Sequence, residues 1–171
     1  MHATSMEQMQ IFEEKYTREI QSDRPLKVLD IGSLDVNGIY KELFKSPKYE
    51  YKGLDLFPGK NVDIVAAGPY DYHPVEDNSV DIIISGQTME HVEAIWLWVL
   101  ELKRVLKPGG LMCLIAPNNY PTHRHPVDCW RILADGMKYL LGTHARMVVF
   151  EAKEVGIDTV GIAKNREKIP I

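Results

Sequence analysis

Apolar residues follow two rhythms along this chain, and the alternation between them predicts the architecture. From Ser5 to Gln21 the residues Met9, Phe12, Tyr16 and Ile20 recur at the spacing of one helix face. Ser5 reads as the N-cap, with Glu7 in the first turn, and the helix is expected to lie against the sheet edge. Asp23-Arg24-Pro25 breaks it, and Lys27–Ile31 follows as a short buried strand. Gly38 to Lys45 reads as a helix closed by Ser46-Pro47, Tyr49–Asp55 as the second strand and Val62–Ala66 as the third. The link into the third strand is too short for a crossover helix. About seven extended residues can still span roughly 20 Å, so a parallel third strand is retained.

Beyond the polar loop Gly68 to Ser79, Val80–Ser85 is nearly continuous in apolar residues, the signature of a strand covered on both faces. A helix from about Met89 to Leu106 is expected to bury Ile95, Trp96, Val99, Leu102 and Leu106. Lys107-Pro108-Gly109-Gly110 ends it, and Leu111–Ala116 is the fifth strand. After the loop Pro117–Asp128 a helical stretch runs from Trp130 to Leu141. Arg146–Ala152 and Asp158–Ala163, joined through Val155-Gly156, read as an antiparallel pair closing the sheet. The sum is an α/β fold: an open sheet of about seven strands, mostly parallel, with an antiparallel C-terminal pair and helices on both faces. Residues 1–171 read as a single domain, with 1–24 an N-terminal helix and linker and 25–171 the core.

Composition narrows the partners. Apolar residues make up 45% and charged residues 26%, ordinary for a globular domain. A net charge of -4 without a basic cluster argues against a nucleic-acid substrate, and no apolar run reaches a membrane span. The charged, amphipathic N-terminus is unlike a secretory signal. Cys113 and Cys129 fit no metal or redox spacing, which suits reduced thiols in a cytoplasmic protein.

Candidate chemistry gathers at the strand ends. Lys27–Gly38 is a strand, a carboxylate (Asp30), a turn glycine (Gly32) and a helix start. A phosphate-binding turn needs a second glycine two residues on, and here Leu34-Asp35 stands in its place. Asp30 and Asp35 therefore suit a cationic ligand, unless Gly32 is simply a turn glycine and both acids are solvated caps. Asp55 closes the second strand where ribose hydroxyls are held in nucleoside-binding α/β folds; with Phe57-Pro58-Gly59 following, it is equally a turn former.

Four segments in order, Val28–Gly32, Tyr51–Asp55, Ser79–Ser85 with Glu90-His91, and Arg104–Gly110, resemble the class I S-adenosylmethionine-dependent methyltransferases along nearly the whole chain. The resemblance implies a Rossmann-like sheet and S-adenosylmethionine as cofactor. It implies Asp30, Gly32 and Ser33 at the methionyl part, Asp55 on the ribose, and Leu56 beside the adenine. Pro69 and Tyr70 would border the adenine edge, with Gly86 and Gln87 along the methionine side. Gly68 stands where many members carry an acid, so the contact to the adenine amino group departs from the pattern.

Transfer to a hydroxyl needs close approach, orientation and a base. His91, His123 and His125 are the candidates, with His91 equally suited to a structural or orienting role. Arg124, Asp128, Trp130 and Arg131 either shape the pocket or pin its loop. Glu90, His91, His123, His125 and Asp128 include enough nitrogen and oxygen ligands for a divalent ion, and one branch of RNA methyltransferases uses a Glu-x-x-Glu-His segment with a later histidine; Gln87 breaks that match, and no metal is expected. The expected activity is methyl transfer to a small-molecule acceptor, most readily a hydroxyl of a glycan or secondary metabolite by analogy. The N-terminal helix and the Asn118–Arg131 loop are expected to form the acceptor pocket, completed in one version by a homodimer partner. The competing reading is a non-catalytic S-adenosylmethionine-binding or regulatory protein.

Overall fold

The computed structural model describes residues 3–18 and 20–166; both ends of the expected single domain and position 19 of its first helix lie outside the described residues. Seven strands form one sheet: β1 (Leu26–Ile31), β2 (Tyr49–Asp55), β3 (Ile64–Val65), β4 (Val80–Gly86), β5 (Leu106–Pro117), β6 (Val148–Val155) and β7 (Asp158–Lys164). Their order is β3-β2-β1-β4-β5-β7-β6. β1 pairs in parallel with β2 and β4, β2 with β3, and β4 with β5. β7 runs antiparallel to both β5 and β6, which puts the expected C-terminal pair at the edge. The parallel third strand is present, although it is only two residues long.

Strand alternation decides which face each side chain covers. Leu29, Ile31, Ile83, Met112 and Leu114 join one cluster with Trp98, Val99, Leu102 and Val105 of α2 (Ile95–Val105). Val28, Ile82, Ile84, Cys113 and Ile115 join the other with Tyr40, Phe44 and, from α1 (Ala3–Phe12), Met9 and Phe12. Each fully buried large side chain contributes about 1.5–3 kcal/mol, so two-sided burial fixes the central strands more firmly than any single helix over them.

The helices are shorter than the apolar spacing predicts. α1 passes into a π-helical turn at Glu13–Thr17. Ser5 is no cap: it is buried inside α1, its hydroxyl 2.5 Å from that of Tyr40. α1 lies across β5 and β7 instead of at the edge, because Met9 and Phe12 are spent on that face. The expected helix Gly38–Lys45 shrinks to a 3-10 turn at Lys41–Phe44, since Gly38 sits at φ 113°.

The long helix expected from Met89 is a 3-10 turn at Met89–His91, an extended Val92, and then α2. Val99, Leu102 and Leu106 are buried as expected, but Trp98 is buried in place of Trp96, which is 46% exposed. Lys107–Gly110 is not a terminating turn but the start of β5, where a register shift opposite Val80 and Ile82 absorbs the irregularity. The Trp130–Leu141 helix starts only at α3 (Ala134–Lys138) and ends in a π-helical turn, Tyr139–His144. β6 starts two residues later than expected, after Arg146 at φ 56°. Both cysteines are free, Cys113 buried and Cys129 exposed. No helix among the described residues is long and apolar enough to cross a membrane.

Candidate active site

A cavity of about 930 Å³ opens at the carboxyl ends of β1, β2 and β4, where the strand order reverses. Asp30, Gly32 and Ser33 line it from β1, Asp55 and Leu56 from β2, and Gly86 and Gln87 from β4. Pro69, Tyr70, His91, His123 and His125 complete the expected set around the same space. No described residue of the N-terminal helix reaches it, contrary to expectation, because that helix packs its apolar face onto β5 and β7.

Asp30 is the most strongly perturbed acid on this wall. It is 3% exposed, and Tyr51 donates a hydrogen bond of 2.5 Å to one carboxylate oxygen. Burial pushes its pKa up to about 7; the Tyr51 hydroxyl opposes this, and the Asp55 charge adds to it. Asn61 donates to Tyr51 in turn, so the oxygen facing Asp30 is held in place. Asp55 accepts the amides of Leu34 and Phe57, one on each oxygen. Those bonds fix its rotamer and leave a lone pair on each oxygen.

The Leu34-Asp35 turn works differently from the sequence reading. Asp35 is not on the cavity wall; it pairs with Lys60 and accepts the amide of Gly38. Asp35 also donates its own amide to the Lys60 carbonyl, and Leu34 occupies the space above Gly59. The turn is thus stapled to the β2–β3 loop, and the case for a cationic ligand rests on Asp30 alone. Gly32 adopts φ 74°, and a Cβ there would lie 2.0 Å from Thr88 Oγ1. A Cβ on Gly86 would meet the buried Tyr40 hydroxyl at 1.8 Å. Both glycines make room for the protein's own side chains.

At the other end of the cavity three imidazoles meet. Ring centroids are 4.9 Å apart for His91 and His123, 5.7 Å for His91 and His125, and 6.1 Å for His123 and His125. His91 Nδ1 donates to the Val127 carbonyl at 2.6 Å, and burial lowers its pKa, so the ring is neutral near pH 7. His125 is exposed on the loop. That loop is tied down by its own residues. Arg131 forks onto Asp128 and onto the carbonyls of Tyr120 and Pro121. Trp130 Nε1 donates to the Val92 carbonyl, and the Cys129 amide to that of Glu90. Trp130, Arg131 and Asp128 therefore pin the loop; with Tyr120 they border a separate 270 Å³ cavity, and Arg124 lines neither.

Sequence reasoning missed Tyr40, Thr88, Phe57 and Val127 on the wall, none of which carries a motif. It also missed that Gln87 adopts φ 59°, a left-handed backbone at the end of β4 secured by its Nε2 bond to Asp158. The sequence offers Glu90 as one of several nitrogen and oxygen donors, with no sign of how deeply it lies. Its side chain is fully buried beneath the histidines.

Residues 29–114 match the family model of the methyltransferase domain, half of the chain. The chain belongs to this family. The methyltransferase fold extends over nearly all of it. An S-adenosylmethionine-dependent methyltransferase from Aquifex aeolicus superposes with a TM-score of 0.64 at 20% identity, covering 96% of this chain and 98% of that one. A 1,6-didemethyltoxoflavin N1-methyltransferase from Burkholderia thailandensis, solved with its substrate and S-adenosylhomocysteine, superposes at 0.74 with 14% identity, covering 95% and 79%. In sequence the chain is 33% identical over 106 residues to a methyltransferase of Mycolicibacterium gilvum, covering 54% of this chain and 40% of that protein. It thus spans less than half the length of that methyltransferase. The fold is that of class I S-adenosylmethionine-dependent methyltransferases, and S-adenosylmethionine is the cofactor of this class.

Proposed function

We propose that this methyltransferase domain moves a methyl group from S-adenosylmethionine to a hydroxyl of a small molecule held beneath the Tyr120–Val127 loop. One observation carries the reading: a buried acid with a raised pKa and a cluster of imidazoles face the same cavity from opposite ends. The cofactor fits the first end. Asp30 lacks a cationic partner among the described residues, and an ammonium group would relieve the cost of its charge. Asp55, held by two backbone amides, presents its remaining lone pairs to ribose hydroxyls, and Leu56, Pro69 and Tyr70 supply flat and apolar surface for adenine. Gly32, Ser33, Gly86 and Gln87 form the wall between the two ends.

Bound there, the cofactor supplies an electrophilic methyl group on a sulfonium. The protein then has to orient the acceptor, exclude water and take up one proton. His125 is the base in this reading, because its ring reaches the cavity and no side-chain hydrogen bond engages it among the described residues. His91 and His123 are oriented by main-chain carbonyls and shape the acceptor end. Glycans and secondary metabolites are the acceptor classes favoured, by analogy alone.

Calorimetry with S-adenosylmethionine, S-adenosylhomocysteine and NAD tests the cofactor end. Binding of the first two without NAD is expected, and no binding of either sulfur nucleoside overturns the proposal. An acceptor screen that reads S-adenosylhomocysteine release then tests transfer. His125→Ala should lose turnover with cofactor affinity unchanged. Cofactor binding without turnover on any hydroxyl acceptor would favour a binding or regulatory protein instead.

A further inference from the structure

Glu90 is 0% exposed, and neither of its carboxylate oxygens has a hydrogen-bond partner. Leaving a charged carboxylate in that state is costly, and structures resolve it by pairing, protonation or a metal ion. No lysine or arginine among the described residues forms an ion pair with it. Arg131, whose charge acts on it, is engaged with Asp128, and Asp158 adds a like charge.

Two imidazole nitrogens face Glu90 instead. His91 Nε2 lies 3.7 Å and His123 Nε2 3.8 Å from Glu90 Oε1, and the three ligand atoms sit within 4.8 Å of one another. The tautomers follow from the other ring nitrogens. His91 Nδ1 is 2.6 Å from the Val127 carbonyl and His123 Nδ1 is 3.1 Å from that of Pro121. A carbonyl only accepts, so each Nδ1 carries the hydrogen and each Nε2 directs a lone pair toward Glu90. Three acceptors therefore point at one another across gaps too long for a shared proton. Ligands about 2.0–2.1 Å from one tetrahedral ion stand roughly 3.4 Å apart, so seating one needs a few tenths of an ångström of closure between Glu90 and each histidine, and the two ring nitrogens to draw in by up to about 1.4 Å.

We infer that Glu90, His91 and His123 form a binding site for a divalent first-row transition ion, open toward the cavity on its fourth side. Two imidazoles and one carboxylate are the donor set of open three-ligand sites, and imidazole with carboxylate suits zinc, cobalt or manganese over calcium or magnesium. The carbonyls of Val127 and Pro121 are the outer partners that hold such rings in place. The Cys129 amide, bonded to the Glu90 carbonyl, brings the loop to the carboxylate. The site stands independently of the acceptor proposed above.

The test uses the whole chain, stripped with a chelator and dialysed against zinc chloride, with bound metal read by elemental analysis. About one zinc per chain is expected. Cobalt(II) in its place should give visible absorption of a low-symmetry nitrogen–oxygen site. His91→Ala, His123→Ala and Glu90→Gln should each weaken zinc binding at least 10-fold, with His73→Ala, on an exposed loop, unchanged. Thermal unfolding of each stripped variant shows which ones are folded, and the two histidine variants suffice if Glu90→Gln is not. Zinc bound equally by wild type and by a folded His91→Ala/His123→Ala double variant would overturn the site. So would a stripped protein that takes up no stoichiometric zinc or cobalt.

Discussion

Asp30 carries a stability cost whose size follows from its surroundings. Its pKa is 3.8 in an unfolded chain and about 7 in the folded protein, so between those values the native state binds more protons than the unfolded one. Stability therefore falls as pH rises through this window, the opposite of the usual behaviour of a paired carboxylate. A shift of this size corresponds to about 4 kcal/mol, fully expressed above the folded pKa and absent below pH 3.8. Asp30→Asn removes the charge while its amide oxygen still accepts from Tyr51. The variant should be more stable than wild type by up to about 4 kcal/mol at pH 8, which is roughly 8–16 °C in Tm for a chain of this length. At pH 5 the same linkage leaves a gain of only about 2 kcal/mol.

Urea unfolding of both proteins at pH 5, 6, 7 and 8 measures the difference. If the gap between them does not widen with pH, Asp30 is not the buried acid described here. The same residue is expected to recover part of the cost when S-adenosylmethionine binds, because an ammonium group favours the charged form. Calorimetry below pH 7 in buffers of different ionisation enthalpy should then report release of a proton on binding. Asp30→Asn should abolish that release and weaken affinity. A protein that gains stability and loses its ligand in one substitution would place the cost of Asp30 in function.

Asp55→Ala removes the acceptor for the Leu34 and Phe57 amides together with the proposed ribose contact, and should weaken cofactor binding at least 10-fold; unchanged affinity by calorimetry would refute the assignment. Gly32→Ala forces a Cβ onto Thr88 in a left-handed backbone and should cost about 2–4 kcal/mol in urea unfolding. In a double-mutant cycle, Thr88→Ala removes the Oγ1 and Cγ2 clashes and should return part of the steric cost, its own Cβ remaining 2.9 Å away; strict additivity would show that the two residues do not meet. Arg131→Lys loses the fork that holds Asp128 and two loop carbonyls, and hydrogen exchange at the His123 and His125 amides should accelerate while β4 and β5 stay protected.

The sheet was legible because two-sided burial leaves a plain record: Ile82–Ile84 and Leu111–Ala116 are continuous apolar runs, Val28, Leu29 and Ile31 are apolar around Asp30, and the acids toward the ends of β1 and β2 stand out against them. The helices were less legible because their boundaries depend on tertiary contacts. Ser5 has the chemistry of a cap, yet Tyr40 claims its hydroxyl. Trp96 and Trp98 flank the same helical face, and it is Trp98, donating to the buried Tyr72 hydroxyl, that turns inward. The Leu34-Asp35 turn misled in a further way. Its acid was read as facing a ligand, and it faces Lys60, a partner 25 residues later that no local pattern announces.

The two ends of the cavity are built by different physics, and this sets what each can change. The cofactor end is positioned by strands whose side chains are buried on both faces, so Asp30 and Asp55 move only if the sheet moves. The acceptor end is positioned by side chains gripping main chain: Trp130 on Val92, Arg131 on Tyr120 and Pro121, His91 on Val127, and the Cys129 amide on Glu90. The Trp130, His91 and Cys129 contacts join segments about 36–39 residues apart in sequence and the Arg131 pair segments about 10–11 apart, and none of them follows from hydrophobic periodicity. Side-chain substitutions at Tyr120, which is on the cavity wall and holds Arg131 through its carbonyl, leave these staples and the strand ends intact. They should therefore alter which acceptor fits while cofactor affinity stays constant, a separation that calorimetry and an acceptor screen on the same variants would reveal.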